Sequence, residues 1–264
     1  MLKDITIGQY IPGNSAIHQL DPRTKIITLV LYMVGLFLVN NVTGYAVVTG
    51  FTALVILLSG ISLKIILKGL KPLLFIIVLT LGLHLFMTSG EIIWQWGFLK
   101  ITSQGLRQGI FMALRLIFLV TITSLLTLTT TPIALTDGIE KVLKALFIPA
   151  AHELAMMMTI ALRFIPTLIE ETEKIMKAQM ARGADFDTGG LLARAKSLIP
   201  LLVPLFLSSF RRADELAMAM EARCYRGGEN RTRLKQLLMG TRDYFAFGIT
   251  GLFLAITIVT RYMV

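Results

Sequence analysis

From Ile26 to Ile61 the chain runs 36 residues without a charged side chain. As one helix this run would reach ~54 Å at a rise of ~1.5 Å per residue, well beyond a hydrocarbon core of ~30 Å. It therefore has to fold back on itself. Asn40-Asn41 and Thr43-Gly44 are its polar interruption, which predicts two short spans over about 26–39 and 44–60. Only 16% of the chain is charged and 55% is hydrophobic, where an ordinary soluble domain carries about 25% charge. The sequence is that of a membrane protein.

Further apolar runs complete the count. Pro72 opens a third expected span to about Gly90, after Lys64, Lys68 and Lys71, which are read as a cytoplasmic loop. Trp94 and Trp96 in the 91–105 connector fit an outer aromatic belt. The uncharged stretches Leu116–Thr136 and Tyr244–Thr260 supply the fourth and fifth. Asp21 followed by Pro22 predicts a capped helix start. The first 25 residues carry five charges and no apolar core region, so no cleavable leader is expected.

The segment 132–243 has a different character, with charges alternating with helical apolar stripes. Leu154, Met157, Met158, Ala161, Phe164, Ile165 and Leu168 form one stripe; Ala213, Leu216, Ala217, Met220 and Cys224 form another. Glu170/Lys174 and Glu173/Lys177 are expected pairs on the solvated side. Gly227-Gly228 is read as the stop of the second helix. Ser197–Phe210 is apolar but short and contains Pro200 and Pro204, so a buried or interfacial helix is expected. The runs 145–168 and 197–210 are apolar enough to dip into the membrane. The fold class read from this pattern is an all-α membrane protein, with about five transmembrane helices and a cytoplasmic helical domain inserted before the last. The expected division is 1–131, 132–243 and 244–264. Lysine and arginine placement puts the N-terminus and 132–243 in the cytoplasm and the C-terminus outside, in a cell membrane.

Several functions lack their parts. There is no G-x-x-x-x-G-K-[ST] phosphate loop, no H-E-x-x-H and no Ser/His/Asp arrangement, so an enzyme is not expected. The single cysteine, Cys224, excludes an intrachain disulfide. The net charge of +10 is explained by anionic lipid and positive-inside topology, with no nucleic acid needed. A stand-alone secondary transporter would need a polar centre inside the spans, and His84 and Arg115 are its only candidates.

Two short stretches carry the functional argument. Ala181-Arg182-Gly183 and, 41 residues on, Ala222-Arg223-Cys224 each place an arginine at the expected end of a methionine-containing helix. A guanidinium fork at a helix end suits bidentate pairing with a carboxylate or exposed carbonyls. A lone case reads as a last-turn cation complementing the helix dipole; the repeat argues for two similar sockets on partners. Eight of thirteen methionines lie in 132–243, which provides an adaptable surface.

These residues resemble a known family. Gly8-Gln9-Tyr10-Ile11-Pro12-Gly13 and Leu20-Asp21-Pro22-Arg23-Thr24-Lys25 are similar to the N-terminal signature of the transmembrane T component of energy-coupling factor (ECF) transporters. Ala161-Leu162-Arg163-Phe164-Ile165-Pro166 and Ala178-Gln179-Met180-Ala181-Arg182-Gly183-Ala184-Asp185 resemble its first coupling segment, and Leu216–Arg223 its second. The second motif departs from the family's Ala-Arg-Gly, with Cys224 in the glycine's place. The resemblance implies a coupling scaffold without cofactors of its own. Its partners would be two ABC-type ATPases, which carry the ATP and Mg, and a membrane-embedded S component that binds a vitamin or other micronutrient. It further implies that Ala181, Arg182, Gly183, Ala222, Arg223 and Cys224 dock the ATPases.

Overall fold

The computed structural model describes residues 10–96, 99–184, 186, 190, 196–227 and 237–262. Gly8, Gln9, Asp185 and Gly228 of the motifs above, and the side chains of Trp94 and Trp96, lie outside what is described. The described residues fall into two compact units, 10–139 with 237–262, and 140–227.

The first unit is a helical bundle. Helix α1 (Pro22–Leu38) starts as expected: the Asp21 side chain accepts from the Arg23 amide and Pro22 sits in the first turn. Helix α2 (Val42–Ser59) ends at Gly60, whose φ of 66° is open to glycine without strain. Helix α3 (Leu63–Leu70) passes through a 3-10 turn at Lys71–Leu73 into α4 (Leu74–Met87). The lysines of 64–71 are thus helical, not a loop. Their long stems let ammonium groups leave the apolar surface while the backbone stays hydrogen-bonded. A two-stranded antiparallel hairpin, β1 (Ile92–Trp96) and β2 (Leu99–Thr102), fills the connector. Helix α5 (Ser103–Thr129) then runs back, and α9 (Thr241–Tyr262) closes the unit.

Helices α1 and α9 are parallel. At their starts, Asp243 Oδ1 accepts from the Asp21 amide at 2.9 Å; at their far ends, Asn41 Nδ2 donates to the Thr260 carbonyl at 2.7 Å. Helix α5 is antiparallel to α1. Lys25 Nζ donates to the Thr129 carbonyl at 2.9 Å and Thr130 Oγ1 at 3.1 Å, and Arg115 donates to the Val39 carbonyl at 3.0 Å at the other end. The chain therefore leaves this bundle after α5 and re-enters at α9 on the same face. The core is aromatic: Tyr32, Phe51 and Phe253 have ring centroids 4.4–5.7 Å apart. The Tyr32 hydroxyl is satisfied by Thr52 at 2.7 Å, which a phenol in an apolar core requires.

Gly105 and Gly109 let α5 approach α4 closely. A Cβ at Gly105 would stand 2.6 Å from the His84 carbonyl oxygen, and one at Gly109 3.3 Å from that of Leu81. This is the small-residue spacing by which membrane helices pack without a hydrophobic drive. Gly105→Ala should lower stability by about 1–3 kcal/mol, because backbone cannot yield as a side chain would. Gly50→Ala, where nothing lies within 4 Å, should be neutral or stabilising. Thermal unfolding of the detergent-purified chain checks both; equal effects would contradict the packing argument.

Helix α6 (Pro132–Ala145) leads from the first unit into the second, which contains α7 (Ala151–Ala181) and α8 (Ile199–Ala222). The latter two are antiparallel, tied by Arg212 to Glu171 at 3.0 Å and by Gln179 Nε2 to the Pro200 carbonyl at 3.4 Å. The carboxylate that locks α7 is thus Glu171, facing the neighbouring helix, beside the solvated-side pairs read from spacing.

Among the described residues, five helices of 18 residues or more are apolar enough to cross a membrane: Val42–Ser59, Leu63–Met87, Ser103–Thr129, Ala151–Ala181 and Thr241–Tyr262. The number agrees with expectation; α7 is among these five, and α1 is one residue shorter than α2. α1, expected as the span 26–39, has 17 residues, about 25 Å at ~1.5 Å per residue, and lies along α9 from Asp21 beside Asp243 to Asn41 beside Thr260. α7 qualifies by length and composition as well. The fourth span is not 116–136 but starts at Ser103, since Arg107 and Arg115 are carried on its surface, over the rings of Phe111 and Phe37. It stops at Thr129 because Thr131 precedes a proline, which disfavours helical backbone there.

Candidate functional site

Arg182 and Arg223 occupy the same structural position. Each is the C-cap of its helix, and each is followed by a residue in the left-handed conformation, Gly183 at φ 88° and Cys224 at φ 55°. The hydrogen bonds also match. The Gly183 amide donates to the Met180 carbonyl and the Ala184 amide to that of Gln179, both at 3.0 Å. The Cys224 amide donates to the Glu221 carbonyl at 2.8 Å and the Tyr225 amide to that of Met220 at 3.0 Å. This is a Schellman cap at both ends, satisfying carbonyls that a helix end otherwise leaves open.

The departure from glycine therefore does not move the cap. The helix stops at Ala222 and not at Gly227-Gly228: Cys224 itself adopts the conformation that glycine takes at the other end. A residue with a β-carbon pays about 1–2 kcal/mol for it. Cys224→Gly should slow hydrogen exchange at the Tyr225 amide by a few-fold, and Cys224→Val should hasten it. Exchange at Tyr225 indifferent to both would mean that the left-handed residue is not what holds this end.

Ala181, Arg182, Gly183, Ala222, Arg223 and Cys224 are all exposed. Among the described residues neither guanidinium has a hydrogen-bond or ion-pair partner within the chain, in contrast to Arg23, Arg115 and Arg212. Because α7 and α8 are antiparallel, the two arginines stand at opposite ends of the pair, on the order of 35 Å apart at ~1.5 Å per residue.

The same unit carries an uncovered apolar face. Leu202, Phe206 and Phe210 on α8 recur every fourth residue and are each about half to two-thirds exposed, with Val203 and Leu207 beside them. Ser197–Phe210 was expected to be buried or interfacial; within this chain only Leu201 of α8 is buried. Helical spacing shows that such a stripe exists, but not whether the chain itself covers it.

The alternative polar centres are accounted for differently. Arg115 holds the last carbonyls of α1, reaching the Val39 carbonyl and, at 3.4 Å, Asn40 Oδ1. It is a helix-end staple at the margin of the bundle. His84 lies along α4 where Gly109 of α5 packs against its Cβ. The sequence reading missed the role of Lys25, whose ammonium, buried in the first turn of α1, caps the end of α5. It also missed the Gly105/Gly109 contact, although the four-residue glycine spacing was visible.

A family model for CbiQ, described as cobalt transport protein, matches residues 13–234. A protein of Thermosediminibacter oceani named energy-coupling factor transporter transmembrane protein EcfT is 63% identical, over 99% of this chain and 100% of its own. Proteins of the same name from Ruminiclostridium cellulolyticum and Bacillus subtilis are 57% and 54% identical, covering 100% and 92% of this chain and 99% and 93% of theirs. The chain belongs to this family of transmembrane components of energy-coupling factor transporters. It is a multi-pass membrane protein.

Proposed function

We propose that the chain is the coupling scaffold of an ATP-driven importer, linking two ABC-type ATPases to a substrate-binding S component for uptake of a vitamin or other micronutrient. The observation that carries this reading is the pair of matched, exposed arginine helix ends, unpartnered among the described residues. Two guanidiniums with the same backbone geometry, well separated on one rigid pair of helices, fit two copies of one kind of socket. A carboxylate or a set of open carbonyls in each ATPase would complete the bidentate bonds. ATP and Mg belong to the ATPases, and this chain performs no reaction and holds no cofactor.

The exposed α8 stripe of Leu202, Phe206 and Phe210 supports contact with the S component, since an uncovered apolar row of this length marks an interaction surface. Motion of the ATPase pair then reaches the S component through α7 and α8, with the methionines providing surfaces that re-pack as partners shift. In this reading the N-terminus and the segment 132–243 are on the cytoplasmic side, with α7 lying at the membrane surface and not crossing it, and the C-terminus lies outside.

Mass spectrometry of the intact detergent-extracted complex tests the assembly. Two ATPase chains and one small membrane protein should accompany each copy of this subunit. Isolation of the chain alone, or with a single ATPase attached at one end, would overturn the two-socket reading. A secondary transporter is disfavoured by the use of Arg115 as a staple; vesicles holding this chain alone should show no gradient-driven uptake.

A further inference from the structure

The turn between α6 and α7 repeats the arginine helix ends with opposite chemistry. Phe147 is in the left-handed conformation at φ 58°. Its amide donates to the Lys144 carbonyl, and the Ile148 amide to that of Leu143, both at 3.1 Å. Leu146 thus stands where Arg182 and Arg223 stand, and Phe147 where Gly183 and Cys224 stand. A bulky aromatic residue at positive φ is an outlier, and glycine is the ordinary occupant of this position.

Among the described residues, no side chain packs over this turn to cover it. Phe147 is 94% exposed, and Leu146 and Ile148 beside it are 65% and 38% exposed. The turn is nevertheless firmly held. Glu140, 1% exposed, meets His152 Nδ1 at 3.1 Å across it, and the Ala151 amide donates to the Ile148 carbonyl at 3.2 Å. Strained backbone persists where its surroundings over-determine it, and it concentrates at functional places. Three adjacent apolar side chains are held outward by a turn that cannot relax.

The flanking chemistry identifies what covers them. Before the turn, α6 presents Lys141 and Lys144, the latter with its side chain 46% exposed even while it touches Glu140. After it, the first half of α7 carries only Glu153 and Arg163 as charges as far as Ile169. That helix is apolar enough to enter hydrocarbon, and only Ala151 and Ala155 on it are fully buried. Cations, then an aromatic, then an apolar helix is the order met on passing from lipid headgroups to acyl chains. We infer that Leu146, Phe147 and Ile148 form a membrane-interface wedge, seated at the headgroup–acyl boundary of an anionic bilayer, with Lys141 and Lys144 over lipid phosphates. The attraction of basic groups to anionic lipid supplies the electrostatic part.

The test places one indole at the turn. The full chain, with the subunits that co-purify with it, carries Trp94→Phe, Trp96→Phe and Phe147→Trp and is reconstituted into phosphatidylcholine/phosphatidylglycerol vesicles. Lipids brominated on upper acyl carbons should quench at least half of the emission from position 147, and aqueous acrylamide little of it. Quenching by acrylamide but not by bromolipid would leave the turn in water; protection from both would put it in a protein socket; either overturns the inference. Should that chain insert poorly, Cys224→Ser with Phe147→Cys and a nitroxide label gives a second reading. Collision with oxygen should exceed collision with a water-soluble nickel chelate, and the reverse order overturns the wedge.

Discussion

The double variant Arg182→Glu/Arg223→Glu is expected to lose both ATPases on co-purification while inserting into the membrane normally. Folding should tolerate the change, because both side chains are exposed and make no internal hydrogen bond or ion pair among the described residues; surface substitutions of this kind stay within about 0.5 kcal/mol. Binding should not tolerate it. Breaking a hydrogen-bonded charge pair buried in an interface costs about 2–5 kcal/mol, and a reversed charge adds repulsion. At 1.4 kcal/mol per tenfold, one lost socket weakens attachment by roughly 30-fold or more. Each single variant should therefore retain one ATPase more firmly than the other, and the pair should retain neither. Normal co-purification by the double variant would remove the docking assignment for both helix ends. Arg212→Glu is a useful contrast: its partner is Glu171 within the chain, so it should loosen α7 from α8 without directly removing a docking peg.

Lys25→Ala is expected to be the most damaging single change to the bundle. The ammonium donates to the His18 and Thr129 carbonyls and to Thr130 Oγ1, at 3.3, 2.9 and 3.1 Å. Thr129 is the last residue of α5, so its carbonyl has no helical partner. Hydrogen bonds to a charged group contribute about 1.5–3 kcal/mol, and leaving a buried carbonyl unsatisfied adds to the loss. Asp21 and Asp243 are both buried nearby and would lose a neighbouring cation. A destabilisation of roughly 3–5 kcal/mol is expected, read as a large drop in thermal unfolding temperature of the detergent-purified chain. Lys25→Met, which keeps the stem and loses the charge, should be nearly as harmful. A Lys25→Met chain as stable as the parent would mean that packing of the stem, not the ammonium, joins α1 to α5.

Much of the candidate site was legible because it depends on local features. An arginine following an alanine at the end of an apolar stripe marks a helix end, and both arginines are C-caps. The shape of the second end was not legible. Glycine spacing pointed to Gly227, but the cap forms at Cys224, because carbonyls left open at Glu221 and Met220 are satisfied by the amides one and two residues after Arg223. The energy of those two bonds outweighs the cost of left-handed backbone at a cysteine. Phe147 was invisible for the same reason: no composition rule flags an aromatic residue in a glycine position.

The sequence by itself determined that the chain is helical and membranous, where the charge-free runs turn back, that Asp21 caps α1, and that two arginines end two helices. Each of these follows from contacts among residues within about four positions of one another, or from the mismatch between a run's length and the hydrocarbon thickness. Only the tertiary structure decided that α1 lies along α9 from end to end, that Lys25 and Arg115 serve as staples to distant carbonyls, and that Phe206 and Phe210 stay uncovered while Tyr32 and Leu36 do not. An apolar residue on a helix has the same local energetics whichever way it faces. What separates core from docking surface is the partner it meets, and such partners come from other helices, for Tyr32 both from Phe51 and Thr52 on the next helix and from Phe253 near the end of the chain.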